Sequence, residues 1–337
     1  MGRMSSKLME FLKKMNQEYS ISATAIKPFH SVWKVVTPGQ TYILKKIKDT
    51  PDHFSVVAQI VNELYHQGLR QLVPIRTTRT GKLYLEWNGE YFSLSRHYTG
   101  ERPSFREPRH LKQIGQFFGQ IHEVSRNISF PKEFCSGQGI EEYYRYHEFL
   151  ENLLPQLSNR KDLNRIDRTV MKWSDHFLEQ SRAVIQELNV FPDINSILDG
   201  QKGFCHNDPA PGNIIMDDPH CYLIDFEFAS CDFWLKELAH LALRVLQATD
   251  WNPGEPSLEI LLEAYHQERP LLDIEFKILP ILLRFPRRFW RFCSQRYQEN
   301  LPWTESRFQS RIWELISEET KRCLFLEHWH SKSFTYF

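Results

Sequence analysis

The stretch from Gly203 to Glu227 constrains the fold more than any other part of the chain, because chemistry-bearing side chains recur there around two short apolar runs. His206 and Asp208 form a His-x-Asp pair, four residues separate Asp208 from Asn213, and a second acid, Asp225, follows the second run. Ile214 to Met216 and Tyr222 to Ile224 read as strands joined through Asp217-Asp218-Pro219-His220, whose Pro and Asp residues favour a turn. Antiparallel pairing about Pro219 sets residue 213 opposite residue 225, with α-carbons about 5 Å apart.

Two oxygen-bearing side chains so placed, Asn213 and Asp225, suit Mg²⁺, a hard cation that takes oxygen ligands. Asp208 can accept the proton of a hydroxyl, and His206 reads as a side chain that braces the loop. A single turn-forming Asp or Asn carries little information. Four such residues in register with two strands carry far more.

The first hundred residues have a β texture: Ser31 to Val36, Thr41 to Lys45, Lys82 to Trp87 and Tyr91 to His97. Between the second and third runs Phe54, Val57, Ile60, Val61 and Leu64 recur at helical spacing. The expectation is an antiparallel sheet carrying one helix. Gly100 and Pro103 mark a hinge, after which Leu111, Ile114, Phe117, Phe118 and Ile121 open a helical region with further helices near 140–154 and 165–188.

The 337 residues, 41% of them hydrophobic, suffice for one large or two ordinary domains and exclude whole-chain disorder. Lys+Arg and Asp+Glu both number 42, which gives no support to a general polyanion-binding surface. Residues 284–297 are rich in arginine and aromatics, but aromatics at helical spacing face a core, and arginines there pair with acids such as Glu314, Glu318 and Glu319. No nucleic-acid partner is expected.

The six scattered cysteines form no Cys-x-x-Cys pair and read as reduced thiols. No run approaches the roughly 18 apolar residues of a membrane helix, and the start lacks the apolar core of a signal peptide. The expected location is the cytoplasm, without a membrane partner. Gly2 and Ser6 match the short myristoylation pattern, which needs a second signal for stable anchoring.

The order His206, Asp208, Asn213, Asp225 is that of a kinase catalytic loop and its metal-binding acid. The chain resembles the aminoglycoside phosphotransferase and choline kinase group of protein-kinase-like enzymes, and within it the CotS-like proteins associated with the spore coat. That resemblance implies an α+β, two-lobed protein-kinase-like fold: a small antiparallel-sheet N-lobe over residues 1–98 and a mainly helical C-lobe over 99–337, with a catalytic loop at 204–216 and a metal-binding hairpin ending at 225. It implies ATP and Mg²⁺ as cofactors, Asp208 as catalytic base, Asn213 and Asp225 on metal, and Lys45 on nucleotide phosphates, with Lys46 as the alternative. Ser95-Arg96-His97-Tyr98 resembles the segment whose backbone meets adenine. Glu237 stands at a position usually held by a structural Asp, and His122 ends a family helix.

Two departures from the family pattern stand out. No glycine occurs between Lys27 and Trp33, where a phosphate-covering loop belongs, and Phe29 and His30 fill that place. Glu63 lies near the end of its helix, so no glutamate can be assigned as the partner of Lys45. The helix resumes by Trp234, which leaves no peptide-docking segment and favours a small hydroxyl-bearing substrate. The implied function is ATP- and Mg²⁺-dependent phosphorylation of a small molecule, with a link to sporulation. The alternative is a spore-coat or assembly protein that keeps the fold with little or no catalysis and has coat proteins as partners.

Overall fold

A computed structural model describes residues 6–135, 139–191 and 194–331; Gly2 of the myristoylation pattern lies outside them. The fold is a five-stranded antiparallel sheet followed by a largely helical region. The chain divides into two compact units: residues 1–104, 116–137 and 203–231 form the first, and 105–115, 138–202 and 232–337 the second.

In the first unit, helix α1 (Ser6–Tyr19) precedes strands β1 (Ala25–Phe29), β2 (Val32–Val36) and β3 (Thr41–Lys46); helix α2 (Pro51–His66) follows, then β4 (Leu85–Trp87) and β5 (Glu90–Arg96). The sheet order is β1-β2-β3-β5-β4. β1 and α1 go beyond the sequence expectation. Pro28 argues against a strand, yet it is tolerated because β1 lies at the sheet edge. In α1, Phe11, Leu12, Met15 and Tyr19 line one face and pack with Val35, Leu44, Leu85, Phe92 and Leu94. Strand alternation then sends Lys45, Ser93 and Ser95 to the other side of the sheet.

α2 opens on Thr50, whose hydroxyl accepts from the His53 amide at 3.3 Å, with Pro51 at the first helical position. Val57, Ala58, Ile60, Val61 and Leu64 are buried. Asn62 brackets the backbone of Ile75, donating to its carbonyl at 2.9 Å and accepting from its amide at 2.8 Å.

Helix α3 (Pro108–Ser125) contributes to both units. The second unit contains α4 (Glu141–Ser158), α5 (Arg165–Leu188) and α6 (Ile194–Leu198). Strand β6 (Lys202–Cys205) leads to the hairpin β7 (Ile214–Asp217) and β8 (His220–Leu223) of the first unit, and β9 (Ser230–Phe233) pairs with β6. Helices α7 (Trp234–Ala248), α8 (Ser257–Glu268), α9 (Asp273–Arg284), α10 (Arg287–Cys293) and α11 (Glu305–Ser331) complete the second unit. Its core joins Leu150, Val170, Phe177, Phe289, Phe292, Phe308 and Ile312 from α4, α5, α10 and α11.

Four of the five arginines in 284–297 are paired: Arg288 with Glu314 and Glu318, Arg284 with Glu187, Arg291 with Glu299 and Arg296 with Glu305. Trp290 stacks on Tyr146 at 3.5 Å. Among the described residues, no helix is long and apolar enough to cross a membrane. None of the six cysteines is in a disulfide.

Candidate active site

The β7–β8 hairpin is stitched to the rest of the first unit along both edges. Leu223 donates to the Gln71 carbonyl at 3.0 Å and accepts from Val73 at 3.2 Å. On the other edge, Met216 and Glu101 exchange backbone bonds of 2.8 and 3.0 Å. The register pairs Ile214 with Leu223 and Asp217 with His220, so Asn213 stands opposite Ile224, and the expected pairing with residue 225 is off by one. The reason is the turn: only Asp218 and Pro219 connect the paired ends, which moves the centre of the hairpin away from Pro219.

Asp225 reaches the site by backbone conformation instead. Ile224 donates to the Asn213 carbonyl at 3.0 Å, the last bond of the ladder, and Asp225 then adopts φ +67°. Left-handed backbone is uncommon outside glycine but tolerated by Asp. The Asp225 carboxylate meets the Lys45 ammonium.

Lys45 is also 3.2 Å from Glu227, and Lys48 lies 3.2 Å from the same carboxylate. Two lysines therefore face two acids that are two positions apart. Lys46, the alternative to Lys45, also belongs to the cavity wall, but its ammonium pairs with Glu90 rather than with Asp225 or Glu227. Glu63 is exposed and accepts from Gln67 at 3.3 Å; the part of α2 beside the lysines presents Val57, Ala58 and Val61.

In the loop, His206 is fully buried. Its Nδ1 accepts from the Asp208 amide at 3.3 Å, which leaves the proton on Nε2, donated to the Ile224 carbonyl at 2.9 Å. One imidazole thus ties the Asp208 loop to the residue before Asp225. The Asn213 carboxamide NH₂ donates to the Asp208 carboxylate at 2.8 Å and to its carbonyl at 3.0 Å. With the NH₂ so employed, the carboxamide oxygen is the atom Asn213 has to offer a cation. Asn207, at φ +63°, fixes the preceding corner by donating to the Phe228 carbonyl at 3.0 Å and to the Ser230 hydroxyl at 2.9 Å.

A cavity of about 620 Å³ lies within the first unit and is lined by Lys45, Lys48, Ser93, Ser95, Asn213, Asp225 and Glu227 among others. Arg96, His97 and Tyr98 form part of its wall. The His97 amide donates to Thr41 at 2.9 Å, and the next tie is the Glu101–Met216 bridge. Between them, no backbone bond among the described residues engages the amides of Tyr98, Thr99 or Gly100. A Cβ on Gly100 would stand 2.2 Å from the Met216 carbonyl oxygen, so only glycine permits this close approach. Tyr98 packs against Tyr222 with ring centroids 4.1 Å apart and planes tilted by 31°. Burial, reinforced by the Lys34 charge, lowers the pKa of His97 below the ordinary 6.5. Phe29 and His30 line the cavity, with His30 at φ +52° in the tight β1–β2 turn.

Residues 27–274 match the phosphotransferase enzyme family. The chain belongs to that family. It is 20% identical to spore coat protein S of Bacillus subtilis (strain 168) over 309 residues, covering 89% of this chain and 87% of that one. In fold it is similar to an aminoglycoside phosphotransferase from Alicyclobacillus acidocaldarius, with a TM-score of 0.79 at 18% identity over 98% and 97% of the two chains. It is also similar to an amicoumacin kinase in complex with AMP-PNP, Ca²⁺ and Ami, with a TM-score of 0.66 at 15% identity over 93% and 92%. The two-lobed kinase-like fold expected from the sequence is therefore the fold of this phosphotransferase-family chain.

Of the residues singled out in the sequence, Lys45, Asp225 and Asn213 line the common cavity together with Arg96, His97 and Tyr98; Asp208 is not part of its lining but is hydrogen-bonded to Asn213, which is. Glu237 is fully buried in α7. Sequence reasoning passed over Glu227 and Lys48. Their signal was the acid directly after Asp225-Phe226 and a third basic residue just past β3, but only the tertiary fold brings them together.

It also passed over a buried charge cluster in the second unit. Asp232 accepts from the Gly139 and Phe233 amides at 3.0 and 2.8 Å and pairs with Lys236, which lies 2.8 Å from Glu142. Burial works to lower the Lys236 pKa, but the flanking Asp232 and Glu142 raise it above its ordinary value.

Proposed function

We propose that this protein is an ATP- and Mg²⁺-dependent phosphotransferase that acts on a hydroxyl of a small molecule. The observation that carries the reading is the Lys45–Asp225 ion pair in one cavity with Asn213, whose amide holds the Asp208 carboxylate. In this reading residues 1–98 are the nucleotide-covering lobe and 99–337 the lobe that carries the catalytic loop.

The residues present fit both cofactors. Asn213 and Asp225 supply the oxygen ligands a hard divalent cation needs. The unengaged amides of Tyr98 to Gly100 suit the edge of a purine, and Lys45 suits phosphate oxygens. When bound, the metal and nucleotide supply charge neutralisation and the transferable phosphoryl group. Asp208 takes the proton of the acceptor hydroxyl, oriented by the Asn213 amide. His206 keeps the loop in register, and the lysines hold the site's charge in place before substrate arrives.

A small acceptor is favoured because β9 leads straight from Phe233 into α7 at Trp234, without a long segment for docking a peptide. The assay is ADP release with a panel of amino sugars and amino alcohols. Acceptor-dependent turnover that disappears in Asp208→Asn supports the reading. Absence of turnover across the panel, with retained nucleotide binding, favours the second reading.

That second reading is an assembly protein of the spore coat with little or no catalysis. Two observations favour it: the glycine-free β1–β2 turn with His30 in left-handed backbone, and the relative that bears the name spore coat protein S.

A further inference from the structure

We propose that Lys48 is a second phosphate-binding cation of the cavity and that Glu227 is the positioning residue that holds Lys48 and Lys45 together. The proposal rests on the nucleotide reading above and extends it to two residues of the same site.

Both ammoniums reach one oxygen, Glu227 Oε2, Lys45 at 3.2 Å and Lys48 at 3.3 Å. Two like charges converge only where a shared anion offsets their repulsion. Two further supports of a phosphate site, a glycine-rich cradle and an acid from α2, are absent among the described residues, although Lys34, Arg96 and Arg102 also line the cavity. The β1–β2 connection is a tight turn of His30 and Ser31 without glycine, so its backbone offers no close amide cradle. α2 contributes His53 and the apolar Phe54, Val57, Ala58 and Val61 to the cavity but no acid, and Glu63 is engaged by Gln67.

Glu227 thus does for Lys45 what no residue of α2 does. The two partners differ in freedom: the Lys48 side chain is 72% exposed, whereas that of Glu227 is 23% exposed. Lys48 can swing from the carboxylate to an incoming phosphate at little cost in packing, while Glu227 stays to orient Lys45. A compact, freely rotating ammonium suits this exchange. Asp49, the neighbouring acid, is already paired with His53 at 2.5 Å and does not compete for Lys48.

The test is calorimetric titration of adenosine, AMP, ADP and ATP with Mg²⁺ into wild type, Lys48→Ala, Lys48→Arg and Glu227→Gln, with thermal melts as a check on folding. Lys48→Ala should weaken ADP and ATP by about tenfold, the worth of one hydrogen bond to a charged group. It should leave adenosine and AMP unchanged and make ATP binding less sensitive to salt. Lys48→Arg should restore the tighter binding. Glu227→Gln should weaken ADP and ATP while sparing adenosine.

Equal ATP affinity in Lys48→Ala and wild type overturns the Lys48 proposal and leaves the nucleotide reading intact. Loss of adenosine and ATP binding in equal measure also overturns it, because the residue then acts on the cavity as a whole. A wild type that binds no nucleotide overturns the reading and the proposal together.

Discussion

Lys45 and Asp225, 180 residues apart in the chain, meet in one ion pair. Asp225 makes it from left-handed backbone, one residue past the last hydrogen bond of the β7–β8 ladder. Two separate devices produce the meeting. The hairpin is tied on one edge to residues 71–73 and on the other to Glu101, and strand alternation turns Lys45 away from the α1 side of the sheet. In the proposed reaction this assembles the metal-holding acid and the phosphate-holding base before any ligand arrives, as electrostatic preorganisation requires.

Asp208 accepts a hydrogen bond from Asn213 and sits on a loop held by His206. Asp208→Asn keeps the shape and removes the proton acceptor. The expected result is a fall in kcat of about 10²–10⁴-fold, with nucleotide affinity unchanged by calorimetry.

Gly100 has no room for a side chain, with Met216 O 2.2 Å from a would-be Cβ. Gly100→Ala should strain the Glu101–Met216 bridge, cost about 1–3 kcal/mol in denaturant unfolding and weaken ATP binding through the displaced Tyr98–Gly100 backbone. Gly39→Ala, where nothing lies within 4 Å, serves as the silent control.

The loop and hairpin from His206 to Asp225 were legible because the apolar runs Ile214–Met216 and Tyr222–Ile224 flank a turn-forming Asp-Pro stretch. The register was missed by one, since turn length depends on the local geometry of Asp218–Pro219 rather than on composition. β1 was hidden by Pro28, whose tolerance at an edge depends on sheet order. The signal for α1 was present in Phe11, Leu12, Met15 and Tyr19, yet its helical end is settled by packing on Leu44 and Phe92. Glu227 and Lys48 meet through long-range contacts that no local pattern encodes. In the Asp232–Lys236–Glu142 cluster only the Glu142 contact is long-range, since Asp232 and Lys236 stand four residues apart.

In the second unit Arg269 and Glu275 form a fully buried pair at 2.7 Å, with the guanidinium 3.1 Å from the Tyr265 hydroxyl and 4.7 Å above the Trp234 ring. Glu275→Gln leaves the cation uncompensated and should cost about 3–5 kcal/mol. The double variant Arg269→Met/Glu275→Leu should cost distinctly less in the same urea titration, because neither charge is then stranded.

His240 is buried in α7, and among the described residues neither ring nitrogen has a hydrogen-bond partner. Burial, together with the positive charges of Arg287, Lys236 and Arg244, lowers its pKa well below 6.5. Below pH 6.5 the unfolded chain binds a proton that the folded chain refuses. The associated stability is therefore present above pH 6.5 and is lost as pH falls below it, by at most about 1.4 kcal/mol per pH unit. His240→Leu should flatten that part of the stability profile measured by urea unfolding at a series of pH values.

The most direct test of the central claim is calorimetric titration of ATP, with and without Mg²⁺, into wild type and Asp225→Ala. Mg²⁺-dependent binding by wild type that is lost in Asp225→Ala is the predicted result. Failure of wild type to bind ATP at millimolar concentration, or equal binding by the variant, would contradict the account.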